Sequence, residues 1–280
     1  MPPRSPGRGL ARALGAALLG LVAAAPASAL SLTNLSVSVG AGNSAQIFND
    51  AANTSDIGLS QASVVSSSAL AFDAHYAMDV GVDIGNAATR TVNYTSQFVI
   101  SFDVTANAGQ TWALTIDTSR IGALTLVNDG SGPSSATLKG VTGSLTGAGS
   151  LTGSLDLAAV GTLSGNNGGN QPFSQTGSAT ISGVGTGAAQ AVTLTFNWTS
   201  STTSTRGPGG ANRGDEAAIR MGIDSAMSSF TADNYPGVGN RTLANDGFFV
   251  SATLVPEPGT MLMMFAGLVG LALFGRRTVE

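Results

Sequence analysis

Apolar residues fall on every second position in four stretches of the chain. Phe98, Ile100, Phe102 and Val104 share one face, opposite Gln97, Ser101, Asp103 and Thr105. Asn107-Ala108-Gly109-Gln110 is then a turn signal, after which Trp112, Leu114 and Ile116 alternate with Thr111, Thr115 and Asp117. A period of two on both sides of a turn predicts a β-hairpin with one buried face. Val192, Leu194, Phe196 and Trp198 alternate with Thr193, Thr195, Asn197 and Thr199. Phe248, Val250, Ala252 and Leu254 form the last such run, and Leu35, Val37 and Val39, with Leu124 and Leu126, are weaker ones. Helical spacing occurs only briefly, over 216–221, where Glu216 and Arg220 would form an i,i+4 pair.

Turn residues separate these runs. Gly165-Asn166-Asn167-Gly168-Gly169-Asn170 reads as a loop, and residues 199–214 as another. Residues 140–165 are Gly/Ser-rich and repeat Thr-Gly-Ser-Leu, at Thr142 to Leu145 and at Thr152 to Leu155. Two copies do not make a solenoid. They read as two strands of one sheet, anchored by Leu145, Leu151, Leu155 and Leu157. Many short strands between Gly, Asn and Asp predict a mainly β fold, an antiparallel β-sandwich or jelly-roll-like domain. Trp112 and Trp198 are its largest expected core residues.

Two apolar runs stand outside this alternation. Arg4, Arg8 and Arg12 precede an apolar run from Ala13 to Ala25, which ends in Pro26-Ala27-Ser28-Ala29. A basic start, a run too short to span a bilayer comfortably, and small residues at Ala27 and Ala29 predict a secretory signal over 1–29, cut by signal peptidase after Ala29. At the other end, Val255-Pro256-Glu257-Pro258 precedes an uncharged run from Met261 to Phe274, closed by Arg276-Arg277. Fourteen helical residues cover about 21 Å, and a helix over 259–275 about 25 Å, a marginal span of a core about 30 Å thick. The arginine pair favours a cytoplasmic C-terminus. The two prolines remove backbone donors and hold the chain extended around Glu257.

Val255-Pro256-Glu257-Pro258, a short apolar helix and terminal Arg276-Arg277 together resemble the PEP-CTERM sorting signal of Gram-negative bacteria. The resemblance covers residues 255–280, and Thr278-Val279-Glu280 departs from the family's usual basic end. It implies recognition by an exosortase, a membrane-embedded cysteine transpeptidase-like enzyme, with cleavage near the motif and release or re-anchoring of the body. It also implies a host that makes exopolysaccharide, biofilm or floc. The expected organisation is a signal peptide over 1–29, an exported β-rich domain over 30–254 and the sorting signal over 255–280. The body would lie in the periplasm, transiently anchored in the inner membrane, before reaching the cell surface or matrix.

Composition then narrows the chemistry of the body. The chain of 280 residues has no Cys, one His and only 10% charged residues. Disulfides, thiol nucleophiles and cysteine or multi-histidine zinc sites are excluded. With 12 Lys+Arg and a net charge of -4, a nucleic-acid partner is not expected. Within 30–254 there are thirteen Asp and one Glu against six Arg and one Lys, about seven net negative charges. Asp73, Asp79 and Asp83, bunched near His75, are candidate calcium ligands, though their spacing fits no EF-hand. No G-x-S-x-G elbow accompanies His75, and no cofactor is implied. The body therefore reads as a non-enzymatic surface or matrix protein associated with exopolysaccharide. The alternatives are a carbohydrate-binding module, marked by exposed aromatics, and a polysaccharide hydrolase, marked by two facing carboxylates.

Overall fold

The computed structural model describes residues 30–40, 46–49, 55–83, 89–127, 132–166, 168–205, 216–221 and 246–256. The signal segment with Ala27 and Ala29, and the tail from Glu257 through Arg276 and Arg277, lie outside the described residues. What is described is mainly antiparallel β, in two sheets. The first runs β1 (Ser31–Val39), β5 (Thr89–Thr105), β12 (Ala189–Thr205), β7 (Ser134–Leu138) and β10 (Gly161–Gly165), with β8 (Thr142–Gly147) also on β12. The second runs β2 (Gln46–Asn49), β3 (Ser55–Ser67), β4 (Ala71–Asp83), β13 (Glu216–Met221), β6 (Thr111–Val127), β11 (Gly169–Val184) and β9 (Ser150–Gly153), with β14 (Gly247–Pro256) between β4 and β6.

The period-two runs bury one face each and meet in a single apolar cluster between the sheets. Aromatic rings bridge the layers. Tyr76 of β4 stacks on Trp198 of β12 at 5.2 Å and on Phe98 of β5 at 5.5 Å. Phe248 of β14 meets Phe196 and Trp198 edge-on at 4.9 and 5.0 Å. Trp112 and Trp198 are fully buried. Gly183, opposite Trp112 in β11, leaves the space its ring occupies, since a Cβ there would collide with Cζ2.

The inner face of β12 turns polar past Trp198, at Ser200, Thr202 and Ser204. Arg120 of β6 is also fully buried. It donates to the carbonyls of Lys139 (3.2 Å) and Ala158 (2.6 Å) and to Gln175, and its guanidinium lies between the rings of Phe173 and Trp198. Burial brings its pKa down to about 10.

Two sheet positions are each filled by two strands laid end to end. β7 and β8 follow one another along β12, facing Ser204 to Ser200 and then Asn197 to Val192. β13 and β14 follow one another between β4 and β6. Met221 faces Met78, and Phe248 faces Tyr76, so the strand resumes one register step after it stops. Gly247 re-enters with φ +137°, where a Cβ would strike the His75 ring.

Several expectations from the sequence change. β5 and β6 are strands as anticipated but do not form a hairpin. They belong to opposite sheets, and residues 106–110 cross between the layers. That crossing is bonded to the β11–β12 connection, through Gly109 N to Gly185 O and Gly187 N to Ala106 O. The two Thr-Gly-Ser-Leu copies likewise part: the first lies in β8 of one sheet, the second begins in β9 of the other with Ser154 and Leu155 past its end, and the turn between them uses Gly147 and Gly149 at positive φ. Residues 216–221 are strand, not helix. Ala217, Ile219 and Met221 alternate into the core, and in-register pairing with β4 and β6 overrides the local helical spacing. Residues 199–205 are strand because their hydroxyls alternate inward on an extended ladder, and residues 169 and 170 open β11. Residues 206–215 lie outside the described residues.

Candidate functional site

β14 carries the chain out of the fold. Leu254 is buried, its N–H donates to Leu70 O at 2.7 Å, and Val255 and Pro256 face Ala113 and Trp112. β4 ends opposite Thr253, so Pro256 sits at the last position of its strand with a neighbour on one side only. A residue with no N–H is tolerated there. The alternation from Phe248 to Leu254 therefore stops where the Pro-Glu-Pro sequence begins. Residues 254–277 match the family model of the PEP-CTERM protein-sorting motif.

The chain carries a PEP-CTERM sorting motif. The match covers 24 of the 280 residues, begins one residue before Val255 and ends on Arg277. The motif implies an exported, membrane-processed protein of a Gram-negative bacterium and exosortase-type processing. No curated protein matches the chain. Among solved structures, TmCBM61 in complex with beta-1,4-galactotriose is 11% identical, covering 71% of this chain and 88% of its own, with a TM-score of 0.15. A structure of the infectious bursal disease virus Gt strain is 11% identical, covering 88% and 50%, with a TM-score of 0.08. Neither likeness carries an argument about fold or ligand.

Upstream of the PEP-CTERM motif, the outward face of the second sheet forms a shallow depression of about 530 Å³, lined by Asp117, Ser119, Thr176, Ser178, Phe249 and Ser251 among others. Register explains its makeup. One cross-strand row reads Ser66, Asp73, Ser251, Asp117 and Ser178, and the next reads Ser63, His75, Phe249, Ser119 and Thr176. Phe249 stacks on His75 at 4.6 Å, and the His75 Nε2–H reaches the Asp246 carbonyl at 3.2 Å. Asp73 accepts from Ser251 and from Ser66, each at 2.6 Å. These two bonds, Ser251 first, hold its carboxyl below the usual range.

The three candidate calcium ligands are not gathered here. Asp73, Asp79 and Asp83 are close in sequence around His75 but not in space. They lie along β4, where a rise of about 3.4 Å per residue sets Asp73 and Asp79 about 20 Å apart. Asp79 is buried beside Arg220 of β13, Nε to Oδ1 at 4.0 Å. Burial pushes its carboxyl up, and Arg220 opposes the rise. The Glu216–Arg220 pair belonged to the helical spacing. In a strand, residues four apart are separated by about 13 Å. Among the described residues no group of three His, Cys, Asp or Glu could hold a metal ion. Phe249 and Ser251 were not singled out from sequence. An aromatic on the polar parity of Phe248 to Leu254 was the available signal.

Proposed function

We propose that the chain is an exported, non-enzymatic surface or matrix protein, delivered by exosortase-type sorting and associated with exopolysaccharide. The observation that carries it is the position of the PEP-CTERM motif, which starts on the last buried residue of the last core strand. A folded β-sandwich body is thus joined to its processing signal with no linker between them. On this reading signal peptidase removes 1–29, the body folds in the periplasm, and the inner-membrane tail is cut before the body reaches the surface. Changing Pro256 and Pro258 to Ala should leave a membrane-bound, unprocessed chain in the natural host. Unchanged processing on an immunoblot refutes the sorting reading.

A second reading has its own observation. The Phe249–His75 stack beside Asp117, Ser119 and Ser251 offers a ring face and hydroxyl and carboxylate acceptors, as carbohydrate recognition needs. Among the described side chains no Phe, Tyr or Trp is exposed beyond the half-buried Phe173 and Phe249, so no row of exposed aromatics extends the depression. Glycan-array binding lost in Phe249→Ala would establish this reading, and a blank array would sink it. For a hydrolase, Asp73 and Asp117 flank Ser251 on one face. A general acid needs a raised pKa, and that of Asp73 is lowered.

A further inference from the structure

The end of the body from which β14 exits differs in chemistry from the rest. Six segments meet there: 30–33, 66–71, 106–113, 147–150, 182–191 and 253–256. The β3–β4 turn ties the first and last strands together, Ala69 O accepting from Leu32 N and Leu70 O from Leu254 N, each at 2.7 Å. None of the six segments contains Asp, Glu, Lys or Arg, although the body has about seven net negative charges. The large hydrophobic side chains exposed among the described residues are Val64, Val65, Leu70, Val184 and Val255, and all lie toward this end. Val64 and Val65 lie at a register shift near the end of β3, Leu70 is in the turn, Val184 ends β11 and Val255 is the second-last residue of β14. Val65 is 62% exposed and Val184 55%, too open to count as core margin.

We propose that this uncharged end is a lipid-facing surface, seated on the bilayer that holds the tail. The proposal rests on the reading that the 261–274 run inserts in a membrane. At most four residues, Glu257 to Thr260, separate β14 from that run. Extended, they span roughly 15 Å, and the headgroup layer takes about 6 Å of that. The end of the sheet is therefore held within about 10 Å of the headgroups, which makes it the part of the body nearest the bilayer. An acidic face would be repelled by an anionic leaflet, whereas an uncharged end with protruding valines and a leucine gains by burial in the interface. The nearby acids Asp73, Asp103 and Asp117 sit back on strand faces.

The chain has no cysteine, so single-cysteine labelling is clean. The full-length chain is reconstituted in vesicles of phosphatidylcholine with a minority of phosphatidylglycerol. An environment-sensitive fluorophore is placed on Val65→Cys, Leu70→Cys or Val184→Cys, on Ser174→Cys as a water-facing reference, and on Met263→Cys in the tail. Lipid-attached nitroxides should quench the three exit-end labels several-fold more than the Ser174 label. If the exit-end labels match Ser174 while the Met263 label is quenched, the lipid-facing proposal is overturned. Exit-end labels shielded from water yet untouched by lipid nitroxides would mean a second copy covers the surface, which overturns it equally. An unquenched Met263 label overturns the inserted-tail reading instead.

Discussion

Cleavage of the sorting signal should leave β14 whole, with the mature C-terminus at Pro256 or beyond. A processing enzyme grips extended chain on both sides of the bond it cuts, so a cut between Ala252 and Thr253 would need roughly residues 250–256 free. Those residues belong to an interior strand. Phe248, Val250, Ala252 and Leu254 are each at most 2% exposed, and β14 pairs with both β4 and β6 as far as Thr253. Strands of this kind open with the fold as a whole, at about 5–15 kcal/mol. With 1.4 kcal/mol per tenfold, fewer than about one molecule in four thousand presents that bond. Bonds after Pro256 need at most residues 254–256 to fray from β6, beyond the point where β4 pairing stops, and not the strand to open. Intact-mass measurement of the processed protein from its natural host decides the matter. A mature C-terminus at or before Leu254 in folded material would refute the reasoning.

Three further outcomes follow from the core and its charges. Phe248→Ala should cost about 3–5 kcal/mol in chemical denaturation, because a fully buried ring touching rings of the opposite sheet is lost; a loss below about 1 kcal/mol would contradict the packing. Asp79→Ala and Arg220→Met should each destabilise by about 3–5 kcal/mol, whereas the double change Asp79→Leu with Arg220→Met should be near neutral or stabilising, as thermal melts would register. Asp73 has a folded-state pKa below its ordinary 3.8, so its contribution is complete above that value and disappears as pH falls through the lowered one. Asp73→Ala should therefore lose least against wild type at the acid end of a urea titration between about pH 6 and pH 2.

Strand existence was legible in the sequence and strand partnership was not. The runs at Phe98, Trp112, Val192 and Phe248 all became strands, because a period of two is a local signal that burial of one face enforces. Whether residues 106–110 close a hairpin or cross between sheets is decided by partners far along the chain. β5 needs β12 and β6 needs β11, and both pairings run the whole length of their strands but for Val127 at the end of β6. Residues 216–221 show the same dependence, since a short Ala-rich run takes whichever form its neighbours offer. The polar inward stretch at Ser200, Thr202 and Ser204 carried no apolar period, so its strand was hidden. The sorting motif was readable because it is linear. The Phe249 depression was not, because it exists only through cross-strand register.

The strand shared by β13 and β14 makes residues 222–246 topologically an insertion. The sheet lets the chain go at Met221 and takes it back at Gly247 in the same lane and the same direction. Its ladder is complete without whatever the chain does in between. Segments of different length or composition could be exchanged at this point without disturbing either flanking register, much as a port accepts different fittings. The port opens between β4 and β6, at the level of Ala77 and Gly122 and away from the uncharged end.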